Sequence, residues 1–171
     1  LDQASPPDLN ENYTVGVPVV PDEPYYRAAS GTLFVPIVWP DEPAGFRDVW
    51  LRYWDAMEAL AGGLMRIFAV ALDLPEHFFA DKIDRDIGQM RITNYPTQPR
   101  SPLPGQLRTG AHTDWGSLTI LKTHNAAGGL QVEADPGQWL DVDVPSDGFV
   151  VNIGDLMAVS YTHLRAHETG R

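Results

Sequence analysis

Two hydrophobic periods meet near Asp86 and divide what this chain can fold into. Before that point, Phe46, Trp50, Tyr53 or Trp54, Met57, Leu60, Leu64, Ile67 or Phe68, and Leu72 recur at steps of three and four. That spacing puts them on one face of a 3.6-residue helix. It predicts a helix from about Ala44 to Leu72, with Asp41 as its cap and Pro43 in its first turn. Gly62-Gly63 weakens its middle by roughly 1 kcal/mol per glycine, which packing must offset. Leu74-Pro75-Glu76 is expected to start a short second helix through about Ala80. After Asp86 the helical spacing disappears. Met90–Tyr95 reads as a strand stopped by Pro96, and residues 96–109 as a Pro/Gly loop. Strands are expected at about 107–114, 117–123, 129–134, 139–144 and 148–153, with a turn at Asp135-Pro136-Gly137-Gln138. Several short, evenly spaced strands suggest a sandwich or a barrel.

Residues 1–43 are polar and carry eight prolines, which excludes long helices there. An irregular segment is expected, packed on the domain through Tyr25, Tyr26, Phe34, Ile37, Val38 and Trp39, or else a mobile arm. The chain has 171 residues, enough for one domain with a real core. Its net charge of -11 argues against a nucleic-acid footprint and against an anionic membrane surface. There are no cysteines, so a thiolate metal site and a disulfide frame are both excluded. That absence fits the cytoplasm. No apolar run has the length of a membrane span, so no membrane partner is expected. The first residue is Leu and no signal peptide is visible, so the chain reads as a piece of a longer protein.

Chemistry concentrates at Gly110-Ala111-His112-Thr113-Asp114-Trp115-Gly116-Ser117-Leu118-Thr119-Ile120-Leu121. In a strand, residues i and i+2 share a face, so His112 and Asp114 would aim at one point while Thr113 points away. Imidazole plus carboxylate is the ligand mix of a non-haem iron site, in which two His and one carboxylate leave coordination positions open. On its own a His-x-Asp is also compatible with a hydrogen-bonded strand His near a loop Asp.

Five blocks in order extend the pattern. They are Met90–Pro96, Gly110–Leu121, Gly128-Gly129-Leu130-Gln131-Val132, Trp139-Leu140-Asp141-Val142, and Phe149–Met157 with its Asn152-Ile153-Gly154-Asp155 core. Together they resemble the iron(II)/2-oxoglutarate-dependent dioxygenases, in the branch that includes isopenicillin N synthase. The resemblance runs from about Pro6 to Met157. It implies a mainly β protein with an N-terminal helical part: a double-stranded β-helix (jelly-roll) barrel, here incomplete at both ends. Residues 1–86 would be the irregular segment plus the long and short helices packed on the barrel. Residues 87–158 would be a partial oxygenase domain, and residues 159–171 a non-native tail.

The resemblance also assigns residues. His112 and Asp114 take the first two iron positions. Tyr95 and Thr93 fall where 2-oxoglutarate is contacted, and Arg91, on the same strand face, would line that pocket or be a surface or structural charge; the Tyr95 ring is equally readable as core. Trp115 would border the substrate pocket or pack. Asn152, Gly154 and Asp155 read as turn and fold determinants. The third iron ligand finds no match: the family register points near Gly170. His167 follows His112 at a spacing close to the family's and is the remaining candidate, ahead of His163. The Arg-x-Ser pair that holds the far carboxylate of 2-oxoglutarate is absent from the sequence.

For the parent protein the resemblance implies an iron(II) enzyme that couples 2-oxoglutarate decarboxylation and O2 activation to oxidation of a small organic substrate, by hydroxylation or desaturation. A 2-oxoglutarate-independent oxidase of the same branch and a catalytically dead jelly-roll fragment are the alternatives. The chain as it stands is expected to be inactive.

Overall fold

The computed structural model describes residues 6–124 and 129–159. The proline-rich start carries more regular structure than its composition suggests. It holds strand β1 (Glu11–Val15) and a one-turn helix, α1 (Pro24–Ala28). A long helix, α2 (Phe46–Ala71), follows, and then a single 3-10 turn at Ala80–Lys82 where a short helix from Leu74 was expected. Strands β2 (Met90–Asn94), β3 (Leu118–Leu121), β4 (Gln131–Asp135), β5 (Gln138–Asp141) and β6 (Val150–Ile153) complete the order. They form three antiparallel pairs, β1 with β2, β3 with β6, and β4 with β5. Among the described residues these pairs do not close into a barrel.

The contacts divide the chain into two compact units, Leu1–Gly110 and Ala111–Arg171. In the first, β1 and β2 pair in full register, Tyr13 opposite Ile92 and Val15 opposite Met90. This ladder ties the segment before the long helix to the first strand after it. One face of the pair meets α2. Val15 is buried, and the Tyr13 ring packs edge-on against Phe46 and Trp50, with centroids 5.7 and 5.3 Å apart. Trp39 joins this cluster 6.4 Å from Trp50. The Tyr13 hydroxyl donates to the Val38 carbonyl at 2.9 Å, so a polar tip finds a partner while its ring packs.

Trp50, Trp54, Met65 and Ala69 are the buried residues of α2. Trp50 and Trp54 were expected, whereas Leu60 and Ile67, also expected on that face, are exposed, and Met65 and Ala69 take the buried positions in the second half. The expected Asp41 cap is not used. Gly45, left-handed at φ 80°, occupies the N-cap and makes no side-chain cap bond, so the helix starts at Phe46. Only glycine adopts that conformation without strain, which sets the helix start. Of the expected N-terminal anchors, Tyr26 and Phe34 are buried with centroids 5.0 Å apart. Ile37 and Trp39 are half-buried, whereas Tyr25 and Val38 stay exposed.

An ion pair links α2 to the segment that follows it. Arg66 donates to Glu76 Oε1 through Nε at 2.8 Å and again through Nη2. That hydrogen bond, then the charge of the guanidinium, holds the Glu76 carboxyl below its ordinary range. A lowered folded-state pKa stabilises above the unfolded value, and the contribution vanishes as pH falls through the folded one. Glu76→Gln should therefore lower the thermal midpoint slightly at pH 7. The gap from the unchanged chain should close as pH drops below about 4.3. Scanning calorimetry across that range checks it; an equal gap at acid pH would contradict the pairing.

In the second unit, β4 and β5 form a hairpin whose turn residues are Pro136 and Gly137, the latter at φ 80°. Proline followed by a left-handed glycine is what a type II turn requires. Strands β3 and β6 pair with Leu118 opposite Ile153 and Thr119 opposite Asn152. The strand expected over 107–114 is absent; residues 107–117 are turns and extended loop. Within the first unit that stretch is held by side chains instead of a ladder. Asn10 Nδ2 donates to the Arg108 carbonyl at 2.6 Å, and the Gly110 amide donates to the Asp8 carboxylate at 3.1 Å.

Candidate metal centre

His112 and Asp114 lie on the loop that leads into β3, so strand alternation does not bring them together. Tertiary hydrogen bonds hold Thr113, Asp114 and Ser117 instead. The tetrapeptide Asn152-Ile153-Gly154-Asp155, at the end of β6, grips the loop at four places. Asn152 Nδ2 donates to Asp114 Oδ2 at 2.8 Å. The Asp155 amide donates to the Asp114 carbonyl at 2.8 Å, and the Gly154 amide to the Ser117 carbonyl at 3.1 Å. Thr113 Oγ1 donates to Asp155 Oδ2 at 2.8 Å. Thr113 and Asp114 both engage this one segment, so the opposite facing expected from strand alternation is not what holds them.

Gly154 lets the two segments come this close. It is buried, and a Cβ at this position would sit 2.1 Å from the Gly116 carbonyl oxygen and 3.0 Å from that of Asp114. The sequence reading treated Asn152, Gly154 and Asp155 as fold determinants. Their direct hold on Asp114 is the feature it missed, and no local signal connects residues 38 positions apart.

In this arrangement His112 Nε2 stands 3.7 Å from Asp114 Oδ1. The imidazole is 62% exposed and the carboxylate 32%, so the pair opens to solvent on one side and is backed by protein on the other. An ion with nitrogen and oxygen bonds of about 2.1 Å spans donors up to about 4.2 Å apart. The two atoms therefore fit as two ligands of one ion, and nitrogen with carboxylate oxygen is the donor chemistry of non-haem iron. Among the described residues, no third His, Cys, Asp or Glu joins them in a metal-holding group. His167 and His163 fall outside the described residues.

The three residues expected at 2-oxoglutarate lie in the other unit, on or just after β2. Arg91 Nε donates to Thr14 Oγ1 at 3.1 Å, and Thr93 Oγ1 donates to Asn12 Oδ1 at 2.7 Å. Both contacts join residues directly opposite in the β1–β2 ladder, so Arg91 and Thr93 share a face as expected. Asn94, on the alternate face, donates to Glu11 Oε2 at 3.0 Å. The Tyr95 hydroxyl lies 3.0 Å from Thr109 Oγ1, with the residue 47% exposed, so its ring is not core. Trp115 is 89% exposed; the packing role considered for it is not what it does.

The profile of the 2OG-Fe(II) oxygenase superfamily matches residues 87–168, a range that contains the whole His112–Asp155 constellation. The chain belongs to that superfamily. It is 37% identical over 162 residues to the 2-oxoglutarate-Fe(II) type oxidoreductase hxnY of Emericella nidulans, covering 92% of this chain and 46% of that protein. Among solved structures, a full-length Neurospora crassa protein in complex with alpha-KG superposes with a TM-score of 0.74 at 33% identity. That match covers 90% of this chain and 45% of the Neurospora chain. A putative 2OG-Fe(II) oxygenase family protein from Caulobacter crescentus gives a TM-score of 0.75 at 28% identity, covering 92% and 48%. The chain thus spans about half the length of the relatives it matches. No helix among the described residues is long and apolar enough to cross a membrane.

Proposed function

We propose that this chain carries part of the active site of a non-haem iron(II), 2-oxoglutarate-dependent oxygenase that oxidises a small organic substrate, by hydroxylation or desaturation, on a double-stranded β-helix. The observation that carries the reading is the convergence of His112 Nε2 and Asp114 Oδ1 within reach of one ion, inside a stretch matched by the superfamily profile. Iron(II), when bound, supplies O2 activation coupled to decarboxylation of 2-oxoglutarate to succinate and CO2. The chain's own residues do the rest.

His112 and Asp114 hold the metal from one side and leave other positions open for co-substrate and oxygen. Asn152 and Asp155 keep the Asp114 side chain and backbone in place. By the resemblance, Tyr95, Thr93 and Arg91 in the first unit are the candidates for contact with 2-oxoglutarate; their side chains now meet Thr109, Asn12 and Thr14. Arg91 supplies the positive charge that a dianion needs in a chain of net charge -11. Trp115 offers an exposed apolar ring to the substrate. His167 is the third-ligand candidate. The isopenicillin N synthase-like branch includes enzymes that do without 2-oxoglutarate. The names of the relatives above, which carry 2-oxoglutarate or alpha-KG, favour the dependent chemistry.

An anaerobic iron(II) titration of the full chain, with and without 2-oxoglutarate, tests this. Iron binding without the visible band of the chelate is expected of a chain whose third ligand finds no match; a band that requires both additions would mean that the chain supplies that ligand itself, with His167 the first residue to substitute. A chain that binds no iron overturns the reading. Succinate release on admitting O2, measured on the intact parent protein, separates the dependent chemistry from the independent one.

A further inference from the structure

A carboxylate can meet a metal through one oxygen or through both. Which of these happens at Asp114 decides how many coordination positions remain open, because a bidentate grip would use one of them. The structure distinguishes the two oxygens. Oδ2 accepts the Asn152 amide at 2.8 Å, while Oδ1 lies on the His112 side, 3.7 Å from Nε2. We propose that Asn152 is a positioning residue that holds Asp114 Oδ2 away from the metal, so that the carboxylate binds through Oδ1 alone. This rests on the metal reading of His112 and Asp114 given above.

The carrier of the amide is well placed for the task. Asn152 lies within β6, opposite Thr119 in the ladder, one residue before its end. The next two amides hold the loop itself, Gly154 at Ser117 and Asp155 at Asp114. Donor strand and acceptor loop are thus fixed together by backbone bonds, which keeps the Asn152 side chain within reach of Asp114. Side-chain chemistry agrees. A neutral amide donates to the carboxylate without adding a positive charge that would oppose a cation nearby. Groups that hold metal ligands in this way are generally worth a 10–100-fold change in metal affinity.

Cobalt(II) is the probe, because its visible d–d bands report coordination directly. The full chain, Asn152→Leu, Asp114→Ala and Thr119→Ala are titrated by calorimetry and absorption. The Asn152→Leu change should weaken cobalt binding about 10–100-fold and shift the bands at saturation, as the carboxylate changes its grip. Thr119→Ala, on the facing strand, should leave both unchanged. A purely structural role for Asn152 would lower the unfolding midpoint without altering the saturated spectrum. Where Asn152→Leu does not fold, Asn152→Ser, whose hydroxyl is too short to reach Oδ2, must reproduce the loss. Affinity and spectrum unchanged from the native chain would overturn the positioning role alone. Failure of the native chain to take up cobalt, or native affinity in Asp114→Ala, would overturn the metal reading and this inference with it.

Discussion

Asp114→Ala should abolish metal binding, with an affinity loss beyond about 100-fold. The reason is that one substitution removes two things. The first is a ligand oxygen paired with His112 Nε2 at 3.7 Å. The second is the acceptor of Asn152, whose amide then has no carboxylate to hold. Loss of a group that only supports a ligand already costs 10–100-fold, so loss of the ligand must exceed it. His112→Ala should remove binding to the same extent while leaving the Asn152–Asp114 bond intact, so the two variants separate ligand loss from loop disturbance. Both are read by equilibrium dialysis against manganese(II), with circular dichroism as the check on folding. The loop is also held by backbone bonds from Gly154 and Asp155, and these do not depend on either side chain. Near-native secondary structure with no bound metal is the expected outcome. Retained binding in either variant would refute its place in the ligand set.

Gly154→Ala should be the most destabilising single methyl in the second unit. The new Cβ would lie 2.1 Å from the Gly116 carbonyl oxygen and 2.7 Å from its carbon, both backbone atoms that no side-chain rotation can move. Relief requires the loop to retreat from the end of β6. That breaks the Gly154–Ser117 and Asp155–Asp114 backbone bonds and draws Asp114 away from Asn152. Overpacking of this kind costs about 1–3 kcal/mol, and the hydrogen bonds lost in the same movement add to it. Urea unfolding should show a loss of about 3 kcal/mol or more, together with weakened metal binding in the part that remains folded. Stability equal to the unchanged chain would mean the close approach is not a feature of the molecule in solution.

The two predictions meet at one place because the centre is built from two distant stretches of sequence. His112-Thr113-Asp114 offered a candidate ligand pair by residue type, but only its place among the five ordered blocks that resemble the family singled it out from an ordinary hydrogen-bonded His and Asp. The reason first offered for their convergence was wrong in its physics. Strand alternation needs a ladder, and residues 111–114 have none. The hold on Thr113 and Asp114 comes from 152–155, and sequence periodicity carries no information about which distant backbone a loop will meet.

Elsewhere the division follows the same line. The steps of three and four from Phe46 to Leu72 determined α2, because a helix satisfies its backbone within itself and needs only one apolar stripe to be placed. Pro136-Gly137 determined its hairpin, because turn conformation is a property of those two residues. Strand β1, by contrast, was invisible. Glu11-Asn12-Tyr13-Thr14-Val15 has a polar face and lies among prolines, and only its ladder partner β2, some 75 residues on, makes it a strand. The start of α2 at Gly45, the exposure of Trp115 and the grip of Asn152 on Asp114 belong to that second kind. Local backbone preference is written residue by residue, so sequence alone determined it. Pairing between distant segments depends on which surfaces fold against each other, and that only the tertiary structure decided.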